Sequence, residues 1–326
     1  MSTVNDLPRL SIVIVNYNGG EMLRHCLDYL ERQNERSFEV IVVDNGSADN
    51  SVAVCEDPWS FPLRSHLLGW NSGFAYANNR GAELARGEWL ALLNSDAFAD
   101  ERWTQGLLAA VDTYAGKWFF TSHQLQFNNP AMVDGTGDIY ATNGRAWRRD
   151  YGAPVAEASY CDNEVFGACG AAACFLRQAF LDLGGFDERY FCYFEDVDLS
   201  LRFRLAGYRC MHIQNALVYH IGSATSGGEV SHFSVFYGYR NLVWTYFKSM
   251  PLPLLIKYLP QHLLLNWRQI IGFYRMGQGR IILKSKLAAL LGLPRILLID
   301  RRRVQRQRVI DAATLDKALV KDPTAG

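Results

Sequence analysis

The sequence predicts an α/β protein: a Rossmann-like, mostly parallel central sheet flanked by helices, followed by a helical, basic C-terminal extension. Three observations predict it. Apolar runs of strand length each end in a polar cluster: Leu10–Val15 runs into Asn16-Tyr17-Asn18-Gly19, Phe38–Val43 into Asp44-Asn45-Gly46-Ser47, and Trp89–Leu93 into Asn94-Ser95-Asp96. Helical periodicity separates these runs, and strand–helix–strand units with short connections imply parallel strands with right-handed crossovers. From about residue 233 the chain turns helical, aromatic and basic, which divides it into 1–232 and 233–326. Ligands of open α/β sheets lie beyond the carboxyl ends of parallel strands. The three clusters, beginning at Asn16 (with Asn18 inside it), Asp44 and Asn94, therefore mark a site for a polar, phosphorylated ligand.

After Gly20, the spacing of Leu23, Leu27 and Leu30 predicts a helix packed back on the sheet. A second helix is expected over 74–86 after Asn71-Ser72-Gly73, a third over 102–114, and a strand over Lys117–Ser122. Residues 127–160 are rich in Gly, Asn and Asp without a sustained period, and read as loops and hairpins near the ligand. Strand character returns at Val165–Leu176. A helix from Glu195 would bury Leu199, Phe203 and Leu205, and short strands are expected at Arg209–Ile213 and Ala216–Tyr219.

Composition bounds the function. Apolar residues make up 49% of 326, too many for a disordered chain, and the formal net charge is zero, which excludes a nucleic-acid-type polycation. Seven cysteines without a Cys-x-x-Cys pair argue against disulfides or a zinc knuckle and for a reducing cytoplasm, with Cys169 and Cys174 as small core residues. Met1–Arg9 has no signal-peptide pattern, and Leu252–Phe273 is too interrupted by polar residues to span a membrane.

Several residue groups carry chemistry. Asp44 precedes Asn-Gly-Ser, a turn signal; it either accepts from a pyrimidine N–H or caps the turn. Asn71-Ser72-Gly73, opening a helix that runs through Asn78, offers backbone N–H groups to a phosphate or forms a plain tight turn. A nucleotide diphosphate binds Mg²⁺ through its own oxygens, so a protein often adds only one or two carboxylates. Asp96 would be that acid, with Asn94 and Ser95 orienting the site. Glu195-Asp196-Val197-Asp198 follows the aromatic stretch Tyr190–Phe194. Acids there either complement the helix dipole or include a general base raised by partial burial. His220 is a metal ligand, a phosphate donor or a structural histidine.

The ordered set Val42-Val43-Asp44-Asn45-Gly46-Ser47, Asn71-x-Gly73-Phe74-Ala75-x-Ala77-Asn78, Leu93-Asn94-Ser95-Asp96, Gly184-Gly185-Phe186-Asp187-Glu188 and Glu195-Asp196-Val197-Asp198-Leu199 closely resembles the family 2 glycosyltransferases over about residues 8–222. Phe236-Tyr237-Gly238-Tyr239-Arg240-Asn241 with the basic tail is most similar to bacterial rhamnosyltransferases. The resemblance implies the GT-A fold, a nucleotide-sugar donor, Mg²⁺ or Mn²⁺ as cofactor, and inversion at the anomeric carbon. By position it makes Asp44 the base contact and Asp96 a metal ligand with His220. Asp196 becomes the catalytic base, with Glu195, Asp198, Arg202 and Arg240 on the acceptor side or supporting it. Asn16, Asn18, Asn71, Gly73, Asn78, Asn94 and Ser95 would contact the nucleotide sugar.

The expected reaction moves L-rhamnose from dTDP-rhamnose to a lipid-linked glycan in cell-envelope polysaccharide assembly. The alternatives are a galactofuranosyl- or other hexosyltransferase and a catalytically silent scaffold. Leucines beside Lys257, Arg268, Arg275, Arg280, Lys284, Lys286 and the six arginines of 295–308 suit helices lying on an anionic bilayer, or a helical cap with a solvated arginine face. The membrane reading places the protein at the inner face of the cytoplasmic membrane and predicts liposome binding lost on truncation after residue 250. No nucleic-acid partner is expected, and homo-oligomer formation is left open.

Overall fold

The structure, a computed structural model, describes residues 7–157, 161–222 and 231–322. The first half alternates as expected: β1 (Leu10–Asn16), α1 (Glu21–Glu31), β2 (Phe38–Asp44), β3 (Leu63–Leu67), α2 (Phe74–Leu84) and β4 (Trp89–Leu93). Then come β5 (Ala97–Ala99), α3 (Trp103–Thr113), β6 (Trp118–Gln126), β7 (Asn129–Gly135), the hairpin β8 (Asp138–Tyr140) and β9 (Ala146–Arg148), and β10 (Asn163–Val165). After β11 (Ala172–Leu176), α4 (Arg177–Asp182), α5 (Glu195–Leu205) and β12 (Arg209–His220), the chain is helical. It runs through α6 (His232–Ser249), α7 (Leu252–Arg275), α8 (Gly279–Arg295), a π-helical turn at Ile296–Asp300, α9 (Arg301–Arg306) and α10 (Ala312–Ala318).

The main sheet runs β10-β12-β6-β11-β4-β1-β2-β3, with β5 added to β12 and β7 to β6. Strands β4, β1, β2 and β3 are mutually parallel, as are β6 and β12, while β11 is antiparallel to both of its neighbours. Both faces of the parallel part are covered, which is why its strands read as continuous apolar runs. Leu10, Ile12, Ile14, Val40 and Val42 pack with Leu23, Leu27 and Leu30 of α1 on one face. Val13, Ile41 and Val43 pack with the alanines of α2 on the other.

Four expectations change. Val165–Leu176 is two strands, because Gly167-Ala168-Cys169-Gly170-Ala171 leaves the sheet to pass the start of α5; a Cβ at Gly167 would lie 2.7 Å from Ser200 Cβ. The two short strands after Arg209 are one, β12, whose pairing with β6 shifts between Ile213 and Leu217. The expected strand Lys117–Ser122 extends to Gln126. Helix α5 is not one-sided: Leu199 and Phe203 face the sheet, while Val197, Leu201 and Leu205 pack on Tyr246, Met250, Leu254, Val304 and Leu315 of the C-terminal helices. Its polar residues Asp198, Arg202 and Arg204 are buried too. Cys169 and Cys174 are buried, as expected. Most of Met1–Arg9 lies outside the described residues.

Candidate active site

The strand-end clusters are knitted together by their own side chains. Asn16, fully buried, donates through Nδ2 to Asp44 Oδ1 at 2.9 Å, Ser47 Oγ at 3.1 Å and Ser51 Oγ at 2.9 Å. Its Oδ1 has no partner among the described residues, an acceptor left over at the end of β1. Asp44 also accepts from Ser47 Oγ at 2.6 Å and Ser47 N–H at 3.1 Å, which is the turn-capping geometry. Asn18, at φ +50°, accepts from Ala48 N–H at 2.7 Å, so it braces the neighbouring loop. Asn45 Oδ1 accepts from Ser72 N–H and Oγ, and Asn45 Nδ2 donates to Asn71 Oδ1.

Three amides of the turn before α2 are engaged within the protein. Ser72 N–H goes to Asn45, Gly73 N–H to Asn71 Oδ1 at 3.1 Å, and Ala75 N–H to the Phe191 carbonyl at 3.2 Å. Gly73 instead makes room: its φ is +84°, and a Cβ would sit 2.6 Å from the ring and carbonyl oxygen of Phe191. Asn78 is buried and donates to the Phe74 carbonyl within α2. Its neighbour Asn79 holds the Gly184–Glu188 turn, donating to Phe186 O at 2.9 Å and accepting from Phe186 N–H at 2.8 Å. Neighbouring asparagines on a helix face different ways, and only contacts 107 residues away distinguish them.

Asp96 and His220 meet, because Ile221 N–H bonds to the Asp96 carbonyl as β12 pairs with β5. His220 Nε2 lies 3.4 Å from Asp96 Oδ1, and Nδ1 donates to Asp134 Oδ2 at 2.8 Å. Asp134 is held in turn by Arg148. Burial lowers the His220 pKa, but the bonds to Asp134 and then Asp96 outweigh it and bring it to about 9. A carboxylate behind a histidine whose other nitrogen faces a second carboxylate is the arrangement that orients metal-ligating histidines. One carboxylate and one imidazole fit a divalent cation whose remaining ligands come from a diphosphate. Among the described residues no group of three or more His, Cys, Asp or Glu side chains is arranged to hold a metal without it.

Asp196 is the one residue of α5 outside the buried set. Its Oδ2 accepts from Gly170 N–H at 2.9 Å and its Oδ1 from Val197 N–H at 2.8 Å. Next to Gly170, the Ala171 carbonyl accepts from Asn94 N–H at 2.9 Å. Two adjacent residues thus join the Asn94-Ser95-Asp96 cluster to Asp196. Glu195 and Asp138 lie behind it, each about 5% exposed, and Glu195 Oε2 and Asp138 Oδ2 have no partner among the described residues. Burial pushes Glu195 well above the usual carboxylate range, with Asp196 adding to it, and does the same to Asp138. Burial also raises Asp196, against the pull of the Gly170 and Val197 N–H groups. Like charges so placed do not all ionise, and Asp196, the most exposed of the three, is the one placed to carry charge.

The supporting residues act from behind. Asp198 is fully buried, accepts from Arg202 Nε at 2.9 Å and Lys248 Nζ at 2.8 Å, and touches no open space. Arg202 also donates to the carbonyls of Leu183 and Gly185. Both therefore support the loop before α5. Arg240 likewise donates to the carbonyls of Arg189 and Tyr190. In that loop Phe191, Tyr193 and Phe194 all have φ between +66° and +68°, a conformation costly for residues with a side chain. Asn241, fully buried, holds it by donating to the carbonyls of Tyr190 (3.0 Å), Cys192 (3.1 Å) and Tyr193 (2.7 Å). Asp134, Asp138 and Lys248 were not singled out from sequence, and Asn241 only as part of a motif. None lies in a periodic pattern that marks it.

A sequence model of the family described as "Glycosyl transferase family 2" matches residues 11–184. The N-acetylglucosaminyl-diphospho-decaprenol L-rhamnosyltransferase of Mycobacterium tuberculosis is 28% identical over 257 residues, covering 69% of this chain and 80% of that protein. Among solved structures, GalNAc-T7 with UDP, GalNAc and Mn²⁺ aligns with a TM-score of 0.60 at 16% identity, over 75% of this chain and 48% of that one. The mannosyltransferase PcManGT from Pyrobaculum calidifontis, in complex with GDP-Man and Mn²⁺, aligns at 0.53 and 17% identity, over 96% and 86%. These structural likenesses carry the GT-A fold.

Proposed function

The chain belongs to glycosyl transferase family 2, and on that premise we propose that it moves L-rhamnose from dTDP-rhamnose to a hydroxyl of a lipid-linked glycan with inversion at the sugar C1. The observation that carries the reading is the two-residue bridge, Gly170-Ala171, that fixes Asp196 beside the Asn94-Ser95-Asp96 cluster. A base and a diphosphate site must adjoin for direct displacement. Asp196 takes the proton from the acceptor hydroxyl, which attacks C1 opposite the leaving diphosphate. Its half-buried position, which raises its pKa, supports that role, because a base works best with its pKa moved toward the operating pH.

Asp96 and His220 would hold the divalent cation, which would displace the proton from His220 Nε2, with Asp134 keeping the other proton on Nδ1. Mn²⁺ is the first cation to test, because the structural neighbours GalNAc-T7 and PcManGT are complexes with Mn²⁺. The bound cation would neutralise charge on the leaving diphosphate. The unpartnered Asn16 Oδ1 and the Asp44 carboxylate beside it would read the base edge. The rhamnose and the lipid-linked acceptor rest on the similarity to the mycobacterial rhamnosyltransferase; such an acceptor would bring the protein to the inner membrane surface.

The test is nucleotide release from a panel of dTDP-, UDP- and GDP-sugars with Mn²⁺ and a detergent-solubilised lipid acceptor. Release is expected from dTDP-rhamnose. In Asp196→Asn it should fall about 10²–10⁴-fold, the usual share of a general base, with nucleotide binding unchanged. Undiminished turnover in that variant removes Asp196 from the role, and release from a different donor replaces the rhamnose assignment.

A further inference from the structure

The C-terminal helices leave an apolar face that no described residue covers. In α8, Ile282, Ser285, Lys286 and Ala289 are buried, with Ser285 bonded to the Phe236 carbonyl of α6. On the opposite side Leu283, Leu287, Leu290 and Leu291 are 51%, 58%, 60% and 74% exposed. The stripe continues into the π-helical turn, where Leu298 and Ile299 are 58% and 60% exposed. From Leu283 to Leu298 it is about 22 Å long at the helical rise. A monomer seldom exposes so much contiguous apolar surface without a use for it.

Charge identifies what covers it. Residues 252–308 contain twelve Lys and Arg against one acid, Asp300, and Asp300 is already paired with Arg189 at 2.9 Å. Not all of the basic residues face out. Lys286 is buried and donates to Tyr239 O and Gln269, Lys257 pairs with Asp316, and Arg301 donates to the carbonyls of Phe247 and Met250. Arg295, Arg302, Arg303 and Arg306 remain exposed beside the stripe. A second copy of this face would bring like charges together, whereas an anionic bilayer matches both its apolar and its basic parts.

A cavity of about 280 Å³ opens at the edge of the stripe, lined by Arg189, Arg202, Lys248, Arg295, Asp300 and Arg303 among others. Arg189, Arg202 and Lys248 are bonded to Asp187 or Asp198. Arg295 and Arg303 have no ion pair among the described residues. The Arg303 guanidinium lies over Gly184, where a Cβ would be 2.5 Å from its Nη2. We infer that the exposed face of α8, the π-helical turn and α9 docks on an anionic bilayer, with a lipid headgroup phosphate seated between Arg295 and Arg303. The inference deepens the proposed function and rests on it for the acceptor, which presents its hydroxyl at such a surface.

The test is sedimentation of the full chain with vesicles of phosphatidylcholine alone or with phosphatidylglycerol, beside the transfer assay in detergent. Binding is expected only to the phosphatidylglycerol vesicles, weakening with salt. Each arginine near an anionic surface contributes about fivefold in affinity, so Arg295→Gln/Arg303→Gln should weaken binding about 30-fold. Leu290→Ser/Leu291→Ser should also reduce it, and both variants should keep wild-type transfer in detergent. Wild-type vesicle affinity in the arginine variant overturns the inference. So does pyrophosphate binding without vesicle binding, or a dimer in solution that the leucine variant makes monomeric. No vesicle binding with intact transfer defeats the docking face alone; vesicle binding with no donor consumed defeats the proposed function alone.

Discussion

Asn241→Ala would separate the holding of the base from the stability of the fold. The Asn241 amide donates to three carbonyls of a loop in which three non-glycine residues have positive φ. Each such residue costs about 1–2 kcal/mol, so the loop stores about 3–6 kcal/mol that its contacts must offset. A buried hydrogen bond contributes about 1 kcal/mol net. One amide shared among three acceptors is then worth about 2–3 kcal/mol, a large part of what holds the loop in place. Without it, Phe194 can leave φ +67°, and α5 begins at the next residue. Asp196 would lose its fixed direction, and misplacement by about 1 Å can cost about 10²-fold in rate. The expected result is a fall in stability of about 2–3 kcal/mol by urea unfolding, kcat down about 30- to 100-fold and donor KM little changed. The control is Val235→Ala on the same helix, a fully buried residue packed on Phe273 and Ile282, where a cavity costs about 2 kcal/mol. An equal loss of kcat in both variants would refute the argument, because stability alone would then account for it.

Two further predictions concern the carboxylates. Asp134→Asn keeps the shape beside His220 but weakens the fixing of its tautomer. Second-sphere changes of this kind cost about 10- to 100-fold in metal affinity, so free Mn²⁺ measured by electron paramagnetic resonance should show that loss in the presence of nucleotide; an unchanged titration would detach Asp134 from the metal. Glu195→Gln removes a buried carboxyl whose pKa is raised in the folded state. Such a group supports folding fully below the pKa of the unfolded carboxyl, about 4.3, and loses that contribution as pH rises through the folded value. The variant should therefore gain in Tm over wild type as pH rises from 4 to 8, and a pH-independent difference would show that Glu195 is not held unpaired.

How much was legible in the sequence depended on the range of the interaction. Strands β1, β2 and β4 were readable because burial on both faces demands continuous apolar residues, and α1 because Leu23, Leu27 and Leu30 keep helical spacing. The polar clusters at the strand ends were legible as a set. Their individual contacts were not: Asp44 and Asn71 turned out to brace the loops around the site. Helix α5 hid its full burial because Asp198, Arg202 and Arg204 look like a solvent face until Lys248, Leu183 O and Phe166 O are brought to them. Asp134 and His220 are separated by 86 residues, and no local pattern in 127–160 singles out that aspartate or Asp138.

The change of composition near residue 233 marks where the chain becomes helical, but the catalytic loop depends on the helices beyond that point. Lys248 bridges Asp187 and Asp198 at 2.9 and 2.8 Å, Asn241 holds the loop between them, and Asp300 pairs with Arg189 at its start. Truncation after residue 250 would remove Asp300, Leu254, Val304 and Leu315, and with them the cover over Tyr246 and α5. Lost liposome binding in such a protein would report a damaged core as readily as a missing membrane surface. Substitutions at Arg295, Arg303, Leu290 and Leu291 leave those contacts in place. They also bear on a connection the truncation would erase: the docking face and the base share the chain of ion pairs from Asp300 through Arg189, Asp187 and Lys248 to Asp198, two residues from Asp196.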